Sequence, residues 1–559
     1  MTRRTASQSL AANACLAILF AAAPAGAEWF RLSQGQVFSV VLEDYQVSPD
    51  GRRAVYRQDA ETDGVFDLWS VALPAGTPVK LNATVPSPGV FSFRISPDGS
   101  RVVYTAAQDT GGVVELYSVP IAGPASAGVK LNGPLVAGGD VADPFPSVFG
   151  ISANSTRVVY RADQQTDEVF ELYSVPIAGP ASSGVKLNGA LDTAGDVVGF
   201  RLSPNSARVV YQADQQTNEV YELYSVPIGG PASSGVKLNG ALVLGGDVRF
   251  TSGFQISPNS ARVVYFADQQ IDEVVELYSV PIGGPASSGV KLNGALVAGG
   301  NVFEAGISPN SARVVYRADP QTVFVTELYS VPIGGPASAG VKLNGALVAG
   351  GRVGRASISP NSARVVYTAD QQTNDVNELY SVPIAGPASA GVKLNGPLVA
   401  NGDVHVAFAI SPDSTRAVYV ADQELDGWPM GYRAPLAGPA GADERIWATA
   451  VNIPTDFAIL PDSSAVAVRG NSAFVDGIVR LWTYPLAGTP DWQGTDWLGG
   501  EFQPNGDTFS FELLPDGSGA VYVADQEVDN QFELYLLYFR LWGDGFETGD
   551  TSRWSATVP

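Results

Sequence analysis

Cysteine is nearly absent from this 559-residue chain: Cys15 is the only one, and it sits in an apolar stretch near the N-terminus. A disulfide framework, a thiolate nucleophile and a cysteine-ligated metal are thereby excluded from the body of the protein. Histidine is as scarce. His405 stands alone, so neither a histidine-rich metal site nor imidazole acid–base chemistry repeated along the chain is available. Positive charge is in deficit, with 33 Lys and Arg against 56 Asp and Glu and a formal net charge of −23. Binding to nucleic acid needs a basic stripe, so a nucleic-acid partner is not expected. Beyond the N-terminus no apolar run is long enough for a membrane span.

The N-terminus reads as an export signal. Arg3 and Arg4 supply a positive start, Leu10 to Ala23 are largely apolar, and Ala25-Gly26-Ala27 matches a small-x-small cleavage pattern. Asn13 and Pro24 interrupt the apolar run and argue against a membrane anchor. Residues 1–27 are therefore expected to be a signal peptide, and the mature chain is expected to be secreted or periplasmic.

What the chain has in abundance is itself. Residues 203–248 read SPNSARVVYQADQQTNEVYELYSVPIGGPASSGVKLNGALVLGGDV, and the stretch from Ser257 repeats them almost verbatim. A period of about fifty residues marks a solenoid, a propeller or an array. Aligned on the turn, units begin at Ser48, Ser96, Ser152, Ser203, Ser257, Ser308, Ser359, Ser411, Leu460 and Leu514. In the unit at Ser203, four short strands are expected: 198–202, 208–213, 222–227 and 236–242. Each is β-branched or aromatic and bounded by Gly, Pro and Asn turns. In the turn itself Pro204 presets φ, and Asn205 tolerates the conformation that follows. No window carries a helical apolar stripe, so the fold class is all-β.

Four strands per repeat of this length is blade geometry, and a β-propeller of about ten four-stranded blades is expected. The last unit lacks a strand like Val-Lys-Leu-Asn, whereas Phe30-Arg31-Leu32-Ser33 resembles one and precedes Ser48 by the usual interval. An N-terminal strand is thus expected to complete the last blade and close the ring, covering two sheet edges. That favours one ring, spanning residues 28–542, over two smaller propellers.

The elements SPDGSRVVYTA (Ser96 to Ala106) and ELYSV (Glu115 to Val119) resemble the TolB-like propeller repeat, also called the WD40-like or PD40 repeat. The resemblance covers nearly the whole mature chain. It implies the propeller fold, and it implies scaffolds, binding subunits or the propeller halves of peptidases without choosing among them. Residues 543–559, GDGFETGDTSRWSATVP, resemble a tail found at the ends of exported gammaproteobacterial proteins, which implies export or sorting in a bacterium.

Chemistry is expected on one face. The loops joining second and third strands are acidic: Asp163, Asp167, Glu168 and Glu171, then Asp214, Glu219 and Glu222, then Asp268, Asp272, Glu273 and Glu276. Together they predict a ring of negative charge that draws cations or cationic polymers. In the first unit Asp59, Glu61, Asp63 and Asp67 place oxygen donors around Gly64. Calcium takes six to eight such oxygens, so this hairpin is the candidate Ca2+ site and calcium the candidate cofactor. The alternative is a polar hairpin whose Asp bonds its own turn. The repeated arginines (Arg208, Arg262) and lysines (Lys237, Lys291) are expected to pair with carboxylates across strands, and the tyrosines (Tyr160, Tyr211) to pack between blades.

Catalysis has little support. No G-x-S-x-G elbow is present, His405 has no evident serine partner, and no catalytic residue is assigned. The expected function is an exported, monomeric, non-catalytic binding or scaffold propeller that contacts protein or polysaccharide through one loop face. Alternatives are a propeller-type lyase or glycosidase acting on an extracellular polysaccharide, and a structural cell-surface repeat protein. For the enzyme, Trp428, Trp447, Trp482, Trp492 and Trp497 in the two drifted units are the candidates for stacking on sugars.

Overall fold

The computed structural model describes residues 29–33, 41–141, 148–192, 195–249, 253–448, 456–471, 479–488, 495–496, 506–528 and 530–539. The expected signal peptide and C-terminal tail, with Trp492 and Trp497, lie outside the described residues.

Forty strands form ten four-stranded antiparallel sheets, one per repeat, and these blades are numbered 1 to 10 from the unit at Ser48. Blade 4 is typical, with strands Val197–Leu202, Arg208–Ala213, Glu222–Pro227 and Val236–Lys237. The fourth strand is shorter than the sequence suggests. After Lys237 the ladder passes from backbone to side chain: Leu223 N–H donates to Asn239 Oδ1 at 2.8 Å, and Asn239 Nδ2 donates to Gly240 O at 3.0 Å. The asparagine of Val-Lys-Leu-Asn thus ends the strand while keeping the outer edge satisfied.

Closure occurs as expected. Trp29–Arg31 pair antiparallel with Glu533–Tyr538, Arg31 opposite Tyr535, as Lys237 lies opposite Tyr224 in blade 4. Leu32 N–H donates to Leu534 O at 2.8 Å, and Ser33 Oγ accepts Leu534 N–H at 2.9 Å in the place of the asparagine. Ten apolar cores follow, each shared by two neighbouring blades. Val210, Leu223 and Leu238 of blade 4 pack with Phe254, Val263 and Tyr265 of blade 5. The last core joins Leu514, Val521 and Leu534 of blade 10 to Tyr45, Tyr56 and Trp69 of blade 1. The molecule is one ten-blade ring, with first strands lining the channel and fourth strands outermost.

In eight of the ten blades the tyrosines of strands two and three stack, as Tyr211 does on Tyr224 at 5.4 Å and 19°. Their rings also fill the inter-blade cores, as the sequence indicates. The lysines pair as expected, Lys237 with Glu222, whose second oxygen accepts from Tyr224 Oη at 2.6 Å. The arginines do not. Arg208 Nε donates to Ser225 Oγ at 2.7 Å and Nη2 to Ser225 O at 3.2 Å: its direct partner in strand three is Pro227, and the side chain reaches diagonally to the serine two positions away.

The turn ending each first strand also departs from expectation. Its left-handed residue is the fourth: Gly51, Gly99 and Gly517 in three blades, but Ser206 (φ 60°), Ser260 (φ 60°) and Ser311 (φ 60°) in others. Glycine is the unstrained choice there. Serine occupies the position because its hydroxyl joins blades: Ser206 Oγ accepts Asn154 N–H at 3.0 Å, and Ser260 Oγ accepts Asn205 N–H at 3.0 Å. The inter-blade bond offsets the backbone strain.

Ser206→Ala keeps the strain and loses the bond, and is expected to cost about 1–2 kcal/mol. Ser206→Gly loses the bond but relieves the strain, so urea melts should rank it between Ala and wild type. Leu32→Ala, at a side chain 2% exposed in the closing core, is expected to cost about 2–5 kcal/mol.

The closure also predicts a pH dependence. Burial lifts the Glu533 carboxyl from 4.5 to about 7, against the opposing Ser33 hydroxyl and Arg31 guanidinium. With the folded value above the unfolded one, its contribution is complete below the unfolded value and declines as pH rises towards 7. Glu533→Gln is expected to flatten the fall in melting temperature between acid and neutral pH, and parallel profiles for the two proteins would refute this.

Candidate functional site

The two faces of the ring differ in kind. One carries the Ser-Pro-Asn-Ser turns and the Gly-Pro-Ala-Ser turns, the other the loops between strands two and three and the connections between blades. The acidic residues of the second face divide into two sets.

The inner set is structural. Asp163, Asp214 and Asp370 are buried at the start of their loops. Asp214 Oδ2 accepts Glu219 N–H at 3.0 Å and closes its own loop, while Oδ1 accepts Asp196 N–H from the preceding connection at 2.5 Å. Asp196 in turn accepts Phe170 N–H of blade 3 at 2.7 Å. Asp140, Asp163 and Val114 repeat this relay at 2.5 Å in both steps, and Asp247, Asp268 and Tyr221 repeat it again. Burial raises the Asp140, Asp196 and Asp247 carboxyls; the accepted N–H opposes the shift and the neighbouring loop aspartate reinforces it. Glu171, Glu222 and Glu276 are buried too, held by lysine and tyrosine. The ring of free negative charge is therefore smaller than expected and consists of loop-tip residues such as Asp167, Glu168, Glu219, Asp272 and Glu273. The recurring Gly-Asp-Val of the connections was the available signal for the relay, since each such Asp follows the backbone N–H that it accepts by 26 residues.

The calcium hairpin shows the same economy of groups. Asp59 Oδ2 accepts Gly64 N–H at 3.2 Å, the turn-bonding arrangement. Glu61 and Asp67 do converge, but on Lys80, whose Nζ lies 2.7 Å from one and 2.8 Å from the other. Burial works against the ammonium, yet the two carboxylates outweigh it and raise the Lys80 pKa. Asp67 also accepts from Asn82 Nδ2 at 2.8 Å, and Asp63 stands exposed at the tip. No group of three or more His, Cys, Asp or Glu among the described residues is arranged to hold a metal ion. Calcium would have to displace an ammonium already in place.

His405 Nε2 lies 3.1 Å from Asp422 Oδ1, where other blades use a backbone N–H, so it supports the relay. Of the tryptophans, Trp447 is buried against Phe457 and Tyr484, Trp482 donates Nε1–H to Gly470 O at 3.2 Å, and Trp428 is exposed on a loop. Trp447 and Trp482 share the apolar core between blades 8 and 9, and Trp428 is not part of it.

Asp214→Ala orphans two backbone donors, and at about 1–3 kcal/mol for each it should destabilise more than Asp214→Asn, which retains an acceptor oxygen. Melting temperatures in calcium and in chelator are expected to coincide, and a chelator-reversible rise would reassign the Asp59 to Asp67 hairpin as a metal site.

No family model and no curated protein matches the sequence. Solved structures do resemble the ring. An oligogalacturonate lyase in complex with manganese aligns at 12% identity and TM-score 0.33, over 60% of this chain and 87% of its own. A TolB-type protein from Agrobacterium tumefaciens aligns at 16% and 0.27, over 45% of this chain and 81% of its own. A eukaryotic initiation factor aligns at 11% and 0.44, over 74% and 89%. The likeness is one of fold: the chain is a β-propeller, built of ten four-stranded blades.

Proposed function

We propose that the protein is an exported, non-catalytic binding or scaffold propeller that contacts a protein or polysaccharide partner through the loop face. One observation carries this reading. Among the described residues, every large hydrophobic side chain that is exposed lies on that face or at the channel mouth beneath it. Leu244, Ile271, Phe324, Leu425, Trp428 and Val528 stand on its loops and connections, with Leu244 98% and Phe324 80% exposed. Phe91, Phe303, Val406 and Phe509 occupy one register at the loop-face end of the first strands. Exposed apolar groups gathered on one side, interspersed with acidic loop tips, are the mark of a contact surface. The opposite face presents serine, asparagine and alanine turns.

These residues differ from unit to unit, while the residues that hold the blades repeat. Selectivity therefore belongs to the variable tips, and the repeats supply a rigid platform. Weak contacts distributed around a ring add up by avidity if the partner is itself repetitive.

Phe324→Ser and Trp428→Ser are expected to leave the melting temperature unchanged and to weaken, together, the binding of any partner. Tryptophan emission titrated with neutral and acidic oligosaccharides, and pull-down with defined envelope proteins, reads this directly. The same oligosaccharides should emerge uncleaved, with no new reducing ends and no ultraviolet absorbance of an unsaturated product. Turnover would replace the binding reading with a lyase or glycosidase.

A further inference from the structure

At the other end of the channel, beside the turns, the first strands carry a second and different feature. Two residues before the turn in blades 1, 5 and 10, a side chain reaches across to the inner strand of the next blade. Gln46 Nε2 donates to Phe93 O at 3.1 Å, and its Oε1 accepts Ile95 N–H at 3.1 Å. Gln255 Nε2 donates to Ala305 O at 2.6 Å, and Glu512 Oε2 accepts Val47 N–H at 3.2 Å. In these three blades the side chain bridges the gap between adjacent inner strands.

Blades 6 to 9 have the small residues Gly306, Ser357, Ala409 and Ala458 at this position, whereas blades 2, 3 and 4 bring two cations to it. Arg94 and Arg201 occupy the position in blades 2 and 4, and Gly150 occupies it between them. Neither guanidinium makes a hydrogen bond or ion pair with another described residue, and both are exposed; Arg201 lies over the Phe254 ring at 5.8 Å. The missing side chain at Gly150 leaves a cavity of about 660 Å3 lined by both arginines and by Gln255. A Cβ on Gly150 would lie 2.9 Å from Leu202 Cδ1 and 3.4 Å from Phe200 Cε2, so a larger residue there would push on these side-chain ends in the cavity wall.

Charge makes the arrangement unusual. The chain is strongly acidic, yet no Asp or Glu lines this cavity. Elsewhere on the channel side arginines have partners: Arg57 pairs with Asp44 at 2.6 Å, Arg317 with Glu304 at 2.8 Å and Arg469 with Asp456 at 2.8 Å, while Arg355 donates to Val406 O at 3.2 Å. Two unmatched guanidiniums on one cavity repel each other, and a ligand bearing oxyanions removes that repulsion. The planar fork of arginine suits carboxylate and phosphate alike, each taken by two parallel N–H bonds.

We propose that this cavity is a binding site for a small multivalent oxyanion, with one anionic group on Arg94 and another on Arg201. It lies at the opposite end of the channel from the apolar loop face, and does not depend on what that face binds.

Calorimetric titration of the mature chain with citrate and with inorganic pyrophosphate tests the assignment. At least one is expected to bind, with affinity that falls as salt rises and drops about tenfold or more in Arg94→Gln and in Arg201→Gln. Arg52→Gln, which removes an exposed arginine from a turn outside the cavity, should leave binding intact. Unchanged melting temperatures without ligand would show that the variants fold. The tighter probe tells a carboxylate ligand from a phosphate one. Failure of both to bind, or binding indifferent to both cavity substitutions, overturns the proposal.

Discussion

The structure rests on a single constraint: each sheet has two apolar faces and can bury them only against its two neighbours. An open row of such sheets would leave one face bare at each end, so the row must meet itself. The short strand Trp29–Arg31 is what makes the two ends of the chain one blade. Its pairing is local, but Leu32 and Phe30 beside it pack into the core between blades 10 and 1. Every other interface is then equivalent by construction, which is why nearly identical units can stand side by side.

Polar ties reinforce this packing at three levels. On the turn face serine hydroxyls accept backbone N–H groups from the preceding blade. On the loop face aspartates do so in relays of two. In between, Arg57, Arg161, Arg317 and Arg469 of second strands reach carbonyls at the start of the next blade's first strand, at 2.8–3.2 Å. All three place charged or hydroxyl groups where backbone would otherwise be buried without a partner. The protein holds its shape with groups that, read along the chain, look like chemistry.

That explains what was legible in the sequence and what was not. Strand positions, blade count and closure were readable because a repeat reports packing directly: Phe30-Arg31-Leu32-Ser33 matches Val-Lys-Leu-Asn in pattern, and pattern is what a sheet edge selects. The fourth strand came out too long because Leu238 and Asn239 look strand-like, although the asparagine bonds with its side chain. Asp214 was read as part of a charged loop face and Asp59 as a candidate calcium ligand or a turn-bonding group, since composition does not say whether a carboxylate faces solvent or its own turn. Lys80 lies far enough along the chain from Glu61 that its arrival between the carboxylates is a tertiary fact. Gly150 was silent for the opposite reason: one glycine in a drifting strand means nothing until Arg94 and Arg201 are seen beside it.

The closing strand matches the register of the other outer strands, with Arg31 where a lysine stands in blades 1 to 7. Closure therefore contains no information about how many blades precede it. A gene encoding units this alike can gain or lose one by unequal recombination, and the new ring still ends on the same joint. Circumference becomes a quantity that heredity can adjust in whole steps, limited by the wedge angle that the inter-blade cores accept. A wide ring of ten is then one member of a graded series, and its channel is the dimension along which that series varies.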